Sequence, residues 1–270
     1  MTAAPSIAWA CPDWSLESGD FGDISAAMSA PKNTRHKEQP GYVLHSYPYQ
    51  ETSLIVEMFT REFGRVGMVA KGAKRPHSPL RSVLMPFHAV TLDWSGKSDL
   101  KTLRTAEWRG VFRLLKGRAL ICGFYLNELL LKLLHRDDPH DTLFDVYEET
   151  LNALLDNNDH AAVLRCFEKR LLRELGYALI LDHDTASQCP LDANRQYRYI
   201  IDRGPVPADV RQPGSGLELL GQTLIDMNND HYTSHVTQQQ GKSLMRALIG
   251  HYLGNQTLHS RQLLIDLQGL

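Results

Sequence analysis

Residues 41–70 read GYVLHSYPYQETSLIVEMFTREFGRVGMVA and contain three short runs of β-branched and aromatic residues, separated by turn residues. Two further runs of the same kind follow at 85–94 and 100–108. Such runs are typical of β-strands. Five strands within about 70 residues predict a small closed Greek-key barrel, of which the OB-fold is the five-stranded type. An SH3-like barrel has nearly the same pattern, so the strand spacing alone leaves the barrel type open.

The spacing of apolar residues changes after Gly117 from the period of strands to that of α-helices. The pattern predicts a largely buried helix there, a second helix over 142–155 and a third over 159–175. Asp159 is suited to cap the third helix and Gly176 to end it. The centre of the chain is therefore predicted to be helical.

The remaining segments are less regular. Residues 1–40 are rich in Ala, Ser, Gly and Pro without a sustained period, while 182–270 contains one strand-like run and one long amphipathic helix. We predict an α+β protein made of a flexible N-terminal extension (1–40), an OB-fold barrel (41–112), a helical domain (113–181) and a mixed C-terminal part packed on the helical domain (182–270).

The composition is that of an ordinary globular protein, with 43% hydrophobic and 22% charged residues. No stretch approaches the ~18 uninterrupted apolar residues that a membrane-spanning helix needs, and the N-terminus lacks the pattern of a secretory signal. We therefore expect a cytoplasmic protein without a membrane partner. The four cysteines form no CxxC pair, so they predict neither a disulfide framework nor a zinc site.

Positive charge is concentrated in the barrel. The chain has a net charge of −2, yet residues 42–110 carry ten Lys and Arg against six Asp and Glu. Because salt screens charges over about 8 Å, a polyanion responds mainly to such local charge. We predict that DNA binds here through eight cations: Arg61, Arg65, Lys71, Lys74, Arg75, Arg81, Lys101 and Arg104.

The loop KGAKRPHSPLRS (71–82) stands out within this segment because two prolines and several basic residues predict exposure. Its backbone N–H groups and cations could hold phosphates without reading bases, while nearby aromatic side chains could stack on bases. The alternative is that the lysines only keep a loop soluble and that the aromatic side chains fill the barrel.

Signatures of catalysis are missing from the sequence: it contains no P-loop, no nucleophile elbow and no dinucleotide-binding glycine pattern. The densest group of potential metal ligands is HRDDPHD (135–141), which is also ordinary turn and cap chemistry between two helices. We expect no catalytic residue, no metal and no cofactor. The alternative is a metal-dependent nuclease that uses these acids.

The second and third predicted helices suggest a binding pocket. Leu143, Phe144 and Tyr147 recur at near-helical spacing, and Arg165 and Lys169 lie on the neighbouring helix. An apolar pocket with a cationic rim would suit a short acidic peptide that ends in an aromatic residue and a free carboxylate. A packed helix pair with a solvated basic face explains the same spacing.

These motifs, taken in order, resemble those of the bacterial RecO recombination mediators. The resemblance rests on 41–76, on LMPFHAV (84–90), on LKTLRTAE (100–107), on FYLNELLLKLL (124–134) and on LRCFEKRLLRELGY (164–177). It implies an OB-fold followed by a helical domain, and an activity without nucleotide hydrolysis. One departure concerns zinc, because many members carry a CxxC…CxxC module after LGY where this chain has only Cys189.

The resemblance also implies a function and partners. Members of this family bind single- and double-stranded DNA, anneal complementary strands and, with RecR, help to load the RecA recombinase onto DNA coated by single-stranded-DNA-binding protein. They recognise the acidic C-terminal tail of that coat protein. The match places a tail-binding arginine at Arg165, and we expect the tail site to comprise Leu143, Phe144, Arg165 and Lys169. A DNA repair protein of this kind would be cytoplasmic and associated with the nucleoid; a pure adaptor for protein tails is a further alternative.

Overall fold

The structure is a computed structural model that describes residues 35–110, 114–156, 159–209, 216–254 and 256–260. The expected flexible extension therefore lies outside the described residues, except for 35–40. All elements below belong to one compact unit of the chain.

The first five strands close into a barrel, formed by β1 (Arg35–Tyr49), β2 (Ser53–Thr60), β3 (Gly64–Ala70), β4 (Ala89–Ser95) and β5 (Leu100–Trp108). Their order around the barrel is β1-β2-β3-β5-β4. Neighbouring strands are antiparallel except for β3 and β5, which run parallel. This closed five-stranded Greek-key order is that of the OB-fold, so the predicted α+β class with an N-terminal OB-fold is confirmed.

The first strand begins earlier than the sequence pattern indicates, at Arg35 instead of Tyr42. Residues 35–40 read RHKEQP and lack an alternating apolar pattern. They extend along β4 through backbone pairing, with Arg35 opposite Ser95. The His36 ring also stacks on Trp94 at 5.1 Å between centroids. Tertiary pairing therefore determines this strand, which local propensity does not predict.

The basic loop between β3 and β4 contains a short helix, α1 (Pro79–Val83), that begins with proline. Leu80 and Val83 of this helix pack against the barrel core. Alternate residues of the strands fill that core, including Val56, Met58, Val66, Met68, Leu92 and Trp94. The loop is thereby anchored by its C-terminal half, and its cationic N-terminal half faces solvent.

Three helices follow the barrel: α2 (Gly117–Leu133), α3 (Asp141–Asp156) and α4 (His160–Glu174). The Asp159 carboxylate accepts a hydrogen bond from the Ala162 N–H at 3.1 Å, which makes it the N-cap of α4. Gly176 has φ +83°, the left-handed conformation that ends helices and that glycine adopts without strain. The three predicted helices are therefore confirmed, as are the predicted N-cap and the terminating glycine of α4.

A small antiparallel sheet of β6 (Gln196–Ile200), β7 (Gly204–Pro207) and β8 (Leu217–Leu220) precedes α5 (Gly221–Asn228) and α6 (His235–Leu253). β7 reads GPVP and is not predicted from sequence, because proline is rare in strands. It lies at the edge of the sheet, where a missing N–H is tolerated. Tyr197 and Tyr199 of β6 are buried in the same core as the helices.

The barrel is joined to the helices by an aromatic contact. Tyr42 and Phe59 of the barrel each lie 5.5 Å from the Phe144 ring of α3, between centroids. Asn127 of α2 is buried beside them, where it donates to the Leu44 carbonyl at 2.8 Å and accepts from the Tyr147 hydroxyl at 2.5 Å. Because these polar groups satisfy each other in a buried position, they hold the barrel in one orientation on the helices.

Candidate nucleic-acid and peptide-binding sites

The eight cations predicted for DNA binding fall into two groups. Four of them, Lys71, Lys74, Arg75 and Arg81, lie in the 71–82 loop and are exposed. Within the part of the chain that the structure describes, these four make no ion pair. We call them the loop cations. Their charge is accessible to a polyanion, as the sequence predicts.

Arg104 lies on the same side of the barrel as the start of this loop. β3 and β5 pair in parallel, with Val69 opposite Thr102. Lys71 and Arg104 each follow this pair by two residues along the chain. Arg104 is exposed, and its Nε atom donates to the Ser95 hydroxyl at 2.8 Å. It therefore extends the positive surface of the loop cations along β5.

Arg65 faces the helical domain instead of solvent. Its Nε atom is 2.9 Å from the carboxylate of Glu57, which is only 2% exposed. Its guanidinium also donates to the carbonyls of Leu131 and Leu134, the latter at 3.0 Å. These carbonyls end α2, where a cation is favoured by the unsatisfied C=O groups and by the helix dipole. Arg65 is therefore a structural residue of the joint between barrel and helices.

Further ion pairs surround this joint. Arg136 binds the second oxygen of Glu57. The single negative charge of this buried carboxylate is therefore shared between the guanidinium groups of Arg65 and Arg136. Lys101, whose side chain is 12% exposed, pairs with Asp137 at 2.7 Å. Arg61 binds both carboxylate oxygens of Asp145 on α3. The Asp145 pKa is lowered chiefly by the hydrogen bond from Arg61.

The positions of Arg61, Arg65 and Lys101 require a correction to the predicted DNA surface. All three are paired with carboxylates at the boundary between barrel and helices, and we call them the joint cations. Sequence counting could not separate them from the loop cations, because Asp145 and Asp137 lie outside the counted segment and the pairing of Arg65 with Glu57 forms across two strands. The candidate DNA surface accordingly comprises the loop cations and Arg104.

The barrel aromatics also divide into two groups. Phe59 and Trp94 are fully buried in the cores, as the space-filling interpretation of these residues expects. Tyr47 and Trp108 are exposed, at 38% and 49%. Of these four side chains, only those of Tyr47 and Trp108 reach the surface.

A groove crosses the helical domain. It lies between α6 on one side and α2 and α4 on the other, with a volume of about 730 Å³. Its floor is apolar and includes Cys122, Leu164, Ile249 and Leu253. Four cations line it: Arg118, Arg165, Lys242 and Arg246. An apolar floor with a cationic rim matches the chemistry that we predicted for an acidic peptide.

Arg165 is fixed at the base of this groove. Its guanidinium lies 2.5 Å from the carboxylate of Glu168, a fully buried residue one helical turn further along α4. The Tyr125 hydroxyl donates to the same Glu168 oxygen at 2.6 Å. Burial alone raises the pKa of the neighbouring Cys122 thiol, which is therefore an apolar part of the floor. The Arg165 guanidinium is thus held in one position with its charge largely matched by Glu168, so among the described residues the unpaired charge of the groove lies on Arg118, Lys242 and Arg246.

The structure does not place the other predicted tail residues in the groove. Leu143 and Phe144 are 0% and 1% exposed, and Phe144 packs against the barrel aromatics. Lys169 is bound by Asp230 at 2.7 Å and by the carbonyls of Met227 and Asn228. These three assignments are therefore corrected. Residues 143 and 144 build the core because they occupy the inner face of an amphipathic helix.

The sequence analysis missed the contribution of α6 to the groove. His235, Gln239, Lys242, Arg246 and Gly250 recur every three or four residues and so lie on one face of the helix. No described atom lies within 4 Å of the position of a Cβ at Gly250, so the groove is open there. The spacing of the cations was visible in the sequence, but their opposition to Arg165 depends on how α6 packs.

The acids of 135–141 have separate roles in the structure. Asp137 binds Lys101, and the Asp141 carboxylate accepts from the Thr142 N–H at the start of α3. In the C-terminal loop, the Asp184 carboxylate accepts from the N–H groups of Ala186 and Ser187. Over the residues with described positions, no three His, Cys, Asp or Glu side chains gather in a way that could hold a metal ion.

None of the helices in the described ranges has both the length and the apolar character that a membrane crossing requires.

Comparisons with known proteins cover both parts of the fold. Residues 35–112 match the family model described as Recombination protein O N terminal, and residues 114–262 match Recombination protein O C terminal. The chain is 53% identical over 236 residues to the DNA repair protein RecO of Nitrosospira multiformis, covering 87% of this chain and 98% of that protein. It is 46% identical over 260 residues to the DNA repair protein RecO of Ralstonia nicotianae, covering 96% and 95%. The resemblance seen in the sequence is confirmed: this chain belongs to the RecO family of DNA repair proteins.

Proposed function

We propose that the protein is a non-enzymatic recombination mediator that binds single- and double-stranded DNA and anneals complementary strands. The observation that carries this proposal is the exposed loop of an OB-fold barrel, in which four cations have no carboxylate partner among the described residues. Membership of the RecO family supports the same conclusion, since its relatives are named DNA repair proteins.

The loop cations suit annealing for an electrostatic reason. Two DNA strands repel each other through their phosphates, and a surface that neutralises phosphates on both strands lowers this repulsion. Contacts to phosphates leave the base edges free to pair, so binding is tolerant of sequence. Displacement of counterions makes the affinity fall steeply with salt.

The test of this proposal is annealing of complementary fluorescent oligonucleotides without ATP. We expect the wild type to accelerate annealing and Lys71→Glu/Lys74→Glu to abolish the acceleration. Arg173→Glu/Arg203→Glu is the matched control, because it makes the same change of charge at exposed positions outside the barrel. Unchanged annealing in the loop variant, or equal loss in both variants, would contradict the proposed DNA surface.

The second part of the proposal concerns recruitment to coated DNA. We place the acidic C-terminal tail of single-stranded-DNA-binding protein in the helical groove, with its terminal carboxylate at the cations and its aromatic side chain on the apolar floor. Arg165, Arg118, Lys242 and Arg246 are the residues for the carboxylates. Many tails on one coated strand raise the local concentration, so a modest affinity for each tail is sufficient.

Tail binding is tested with a fluorescent acidic peptide that ends in phenylalanine. We expect Arg246→Ala to weaken binding about tenfold or more, as for the loss of a charge-assisted hydrogen bond. Amidation of the peptide's C-terminus should have a similar effect. Arg170→Ala is the control, since Arg170 pairs with Glu149 outside the groove. Tight binding of the amidated peptide would contradict the placement of the carboxylate.

The family assignment extends the proposal to two partners. With RecR, the protein would help to load RecA onto DNA coated by single-stranded-DNA-binding protein, in the cytoplasm at the nucleoid. No nucleotide hydrolysis is needed, because the tail groove brings the protein to coated DNA and the loop cations hold the exposed strand. A pure adaptor for tails would bind the peptide without binding DNA at low salt, so the two assays separate it from the mediator.

A further inference from the structure

The chain after α6 crosses to α2 at one end of the groove. α6 ends at Leu253, and Gly254 follows with φ +59°, a conformation that glycine adopts readily. Residues 256–258 then line the groove, and Leu258 also packs against the core. We call residues 256–260 the strap. Because α6 forms one side of the groove and α2 part of the other, the strap connects the two sides.

A buried carboxylate of α2 holds the end of the strap. Glu128 is 7% exposed, and its Oε1 atom accepts from the His259 N–H at 2.9 Å. Its Oε2 atom accepts from the Ser260 N–H at 2.8 Å and from the Ser260 hydroxyl at 2.5 Å. Lys132, one turn further along α2, pairs with the Glu128 carboxylate at 2.8 Å and donates to the Thr257 carbonyl. The strap is therefore bound to α2 by side chains of a single helical turn.

Glu128 is ionised at neutral pH despite its buried position. Burial by itself favours the neutral acid, but hydrogen bonds from Lys132 and Ser260 outweigh this effect and lower the Glu128 pKa. Hydrogen bonds to a carboxylate are stronger than those to a neutral group. Removing this side chain would leave two backbone N–H groups and the Ser260 hydroxyl without their acceptor, so the strap would lose its attachment to α2.

The cations of the groove that have no ion pair among the described residues come from both of its sides. Arg118 lies on α2, whereas Lys242 and Arg246 lie on α6. A ligand that contacts both helices needs them at a fixed separation, which supporting residues outside the contact surface must maintain. A strap that is attached to only one of the two helices would have to be ordered again on binding, at a cost in affinity.

We infer that Glu128 is a positioning residue for the peptide groove: it holds the strap as the end wall of the groove and so fixes α6 relative to α2. This inference rests on the proposed binding of an acidic peptide in the groove. Glu128 is not one of the described residues that line the groove, and it acts on the peptide only through the strap. A change at this buried position therefore alters the affinity of a surface that the side chain does not touch.

The experiment measures binding of a fluorescent acidic peptide that ends in phenylalanine to the full chain. We expect Glu128→Ala to weaken binding about tenfold, because the strap would then occupy its closed position in only about one molecule in ten. Ser260→Ala removes one of the three hydrogen bonds to Glu128 and should weaken binding about threefold. This milder variant keeps the buried charge paired with Lys132, so it tests the inference even if Glu128→Ala does not fold.

Asp184→Ala is the matched control. The Asp184 carboxylate belongs to a residue that is 3% exposed and, like Glu128, it accepts from two backbone N–H groups and a serine hydroxyl, those of Ala186 and Ser187. None of these residues is among the described lining of the groove. We expect Asp184→Ala to lower the free energy of unfolding and to bind the peptide as the wild type does.

Hydrogen exchange of the wild type supplies a readout that a purely stabilising role of Glu128 would not change. If the strap is a wall of the occupied groove, the bound peptide and the closed strap favour each other. The peptide should then slow exchange of the His259 and Ser260 amides, which donate to Glu128. Exchange of the Ala186 and Ser187 amides, which donate to Asp184, should not respond to the peptide.

Failure of the inference is distinguishable from failure of the proposed function. If the wild type binds the peptide and both Glu128→Ala and Ser260→Ala bind it equally well, the positioning role is overturned and the groove stands. Equal losses in Glu128→Ala and Asp184→Ala, or no effect of the peptide on the His259 and Ser260 amides, would also overturn it. If the wild type does not bind the peptide, the proposed peptide site is wrong and the inference with it.

Discussion

The loop cations and the joint cations belong to the same barrel and to the same basic segment, yet they have different environments. Lys71, Lys74, Arg75 and Arg81 face solvent. Arg61, Arg65 and Lys101 are matched with carboxylates where the barrel meets the helices. A cation of the first group is available to DNA, while one of the second group stabilises the arrangement of two domains.

The difference arises from long-range partners. Asp145, which binds Arg61, is 84 residues away in the sequence, and Asp137, which binds Lys101, is 36 residues away. Net charge counted along a segment therefore overestimates the charge that a ligand meets. A basic segment therefore indicates a DNA surface only after the cations that pair within the fold have been left out of the count.

The largest effect is expected from removing the buried carboxylate of the joint. Glu57→Ala leaves Arg65 and Arg136 without their shared partner in a position that is nearly closed to solvent. We expect a loss of about 3–5 kcal/mol in the free energy of unfolding, because an uncompensated buried charge is costly. Urea denaturation measures it. Glu62→Ala, an exposed acid in the β2–β3 turn, should change stability by less than about 0.5 kcal/mol.

A loss in Glu57→Ala as small as that in Glu62→Ala would show that the pairing of Arg65 at the joint is not needed for stability. The contrast between the two groups of cations would then no longer hold for Arg65, which would have to be counted again among the cations available to DNA.

A second effect should follow from crowding the same joint. Gly64 has φ +60°, and a Cβ there would lie 1.7 Å from the carbonyl oxygen of Asp138. We expect Gly64→Ala to lower the free energy of unfolding by about 2 kcal/mol, since alanine disfavours this conformation and the backbone of residue 138 must move. Gly110→Ala also has a positive φ but meets no described atom within 4 Å, so it isolates the cost of the conformation. Equal losses in the two variants would contradict a close contact at the joint.

The sequence predicted the barrel strands and central helices well because these elements depend on local patterns. β2, β3 and β5 begin and end where their runs of β-branched residues do, and Asp159 and Gly176 mark the ends of α4 by their own side-chain and backbone preferences. β7 and the early part of β1 were missed because their strands are determined by pairing with neighbours.

The candidate sites were less predictable than the fold. Arg165 lines a groove together with other cations, whereas Leu143 and Phe144 are buried in the core, because periodicity identifies an apolar face without saying what covers it. Lys242 and Arg246 were missed because the packing of α6 against α4 brings together residues about 80 positions apart. Such juxtapositions depend on tertiary structure, which a single sequence does not reveal.

An intermediate effect is expected when one cation of each group is removed and DNA affinity is measured. Lys74→Ala should weaken DNA binding about fivefold at physiological salt and reduce the magnitude of the salt slope by about one, as for one lost phosphate contact. Lys101→Ala should change neither quantity by more than a small amount, because Lys101 is paired with Asp137. Equal changes in the two variants would show that the joint cations also contact DNA.

The smallest effect concerns the ion pair between Arg61 and Asp145, which is the most exposed pair of the joint cations, at 33% and 52% of the two side chains. A double-mutant cycle with Arg61→Ala and Asp145→Ala should give a coupling of about 0.2–1 kcal/mol at pH 7, because solvent and salt screen the pair. The folded-state pKa of Asp145 is lowered, first by the hydrogen bond from Arg61. The coupling is therefore fully present above the unfolded-state pKa of aspartate, near 4, and is lost as the pH falls through the lower folded-state value. Cycles measured at pH 7 and near pH 2 should thus differ by the whole coupling. A coupling that persists at the lower pH would mean that the two side chains interact through packing. Arg61 also lies over the Phe144 ring, at 4.8 Å from its centroid. The joint would then depend on contact area more than on charge.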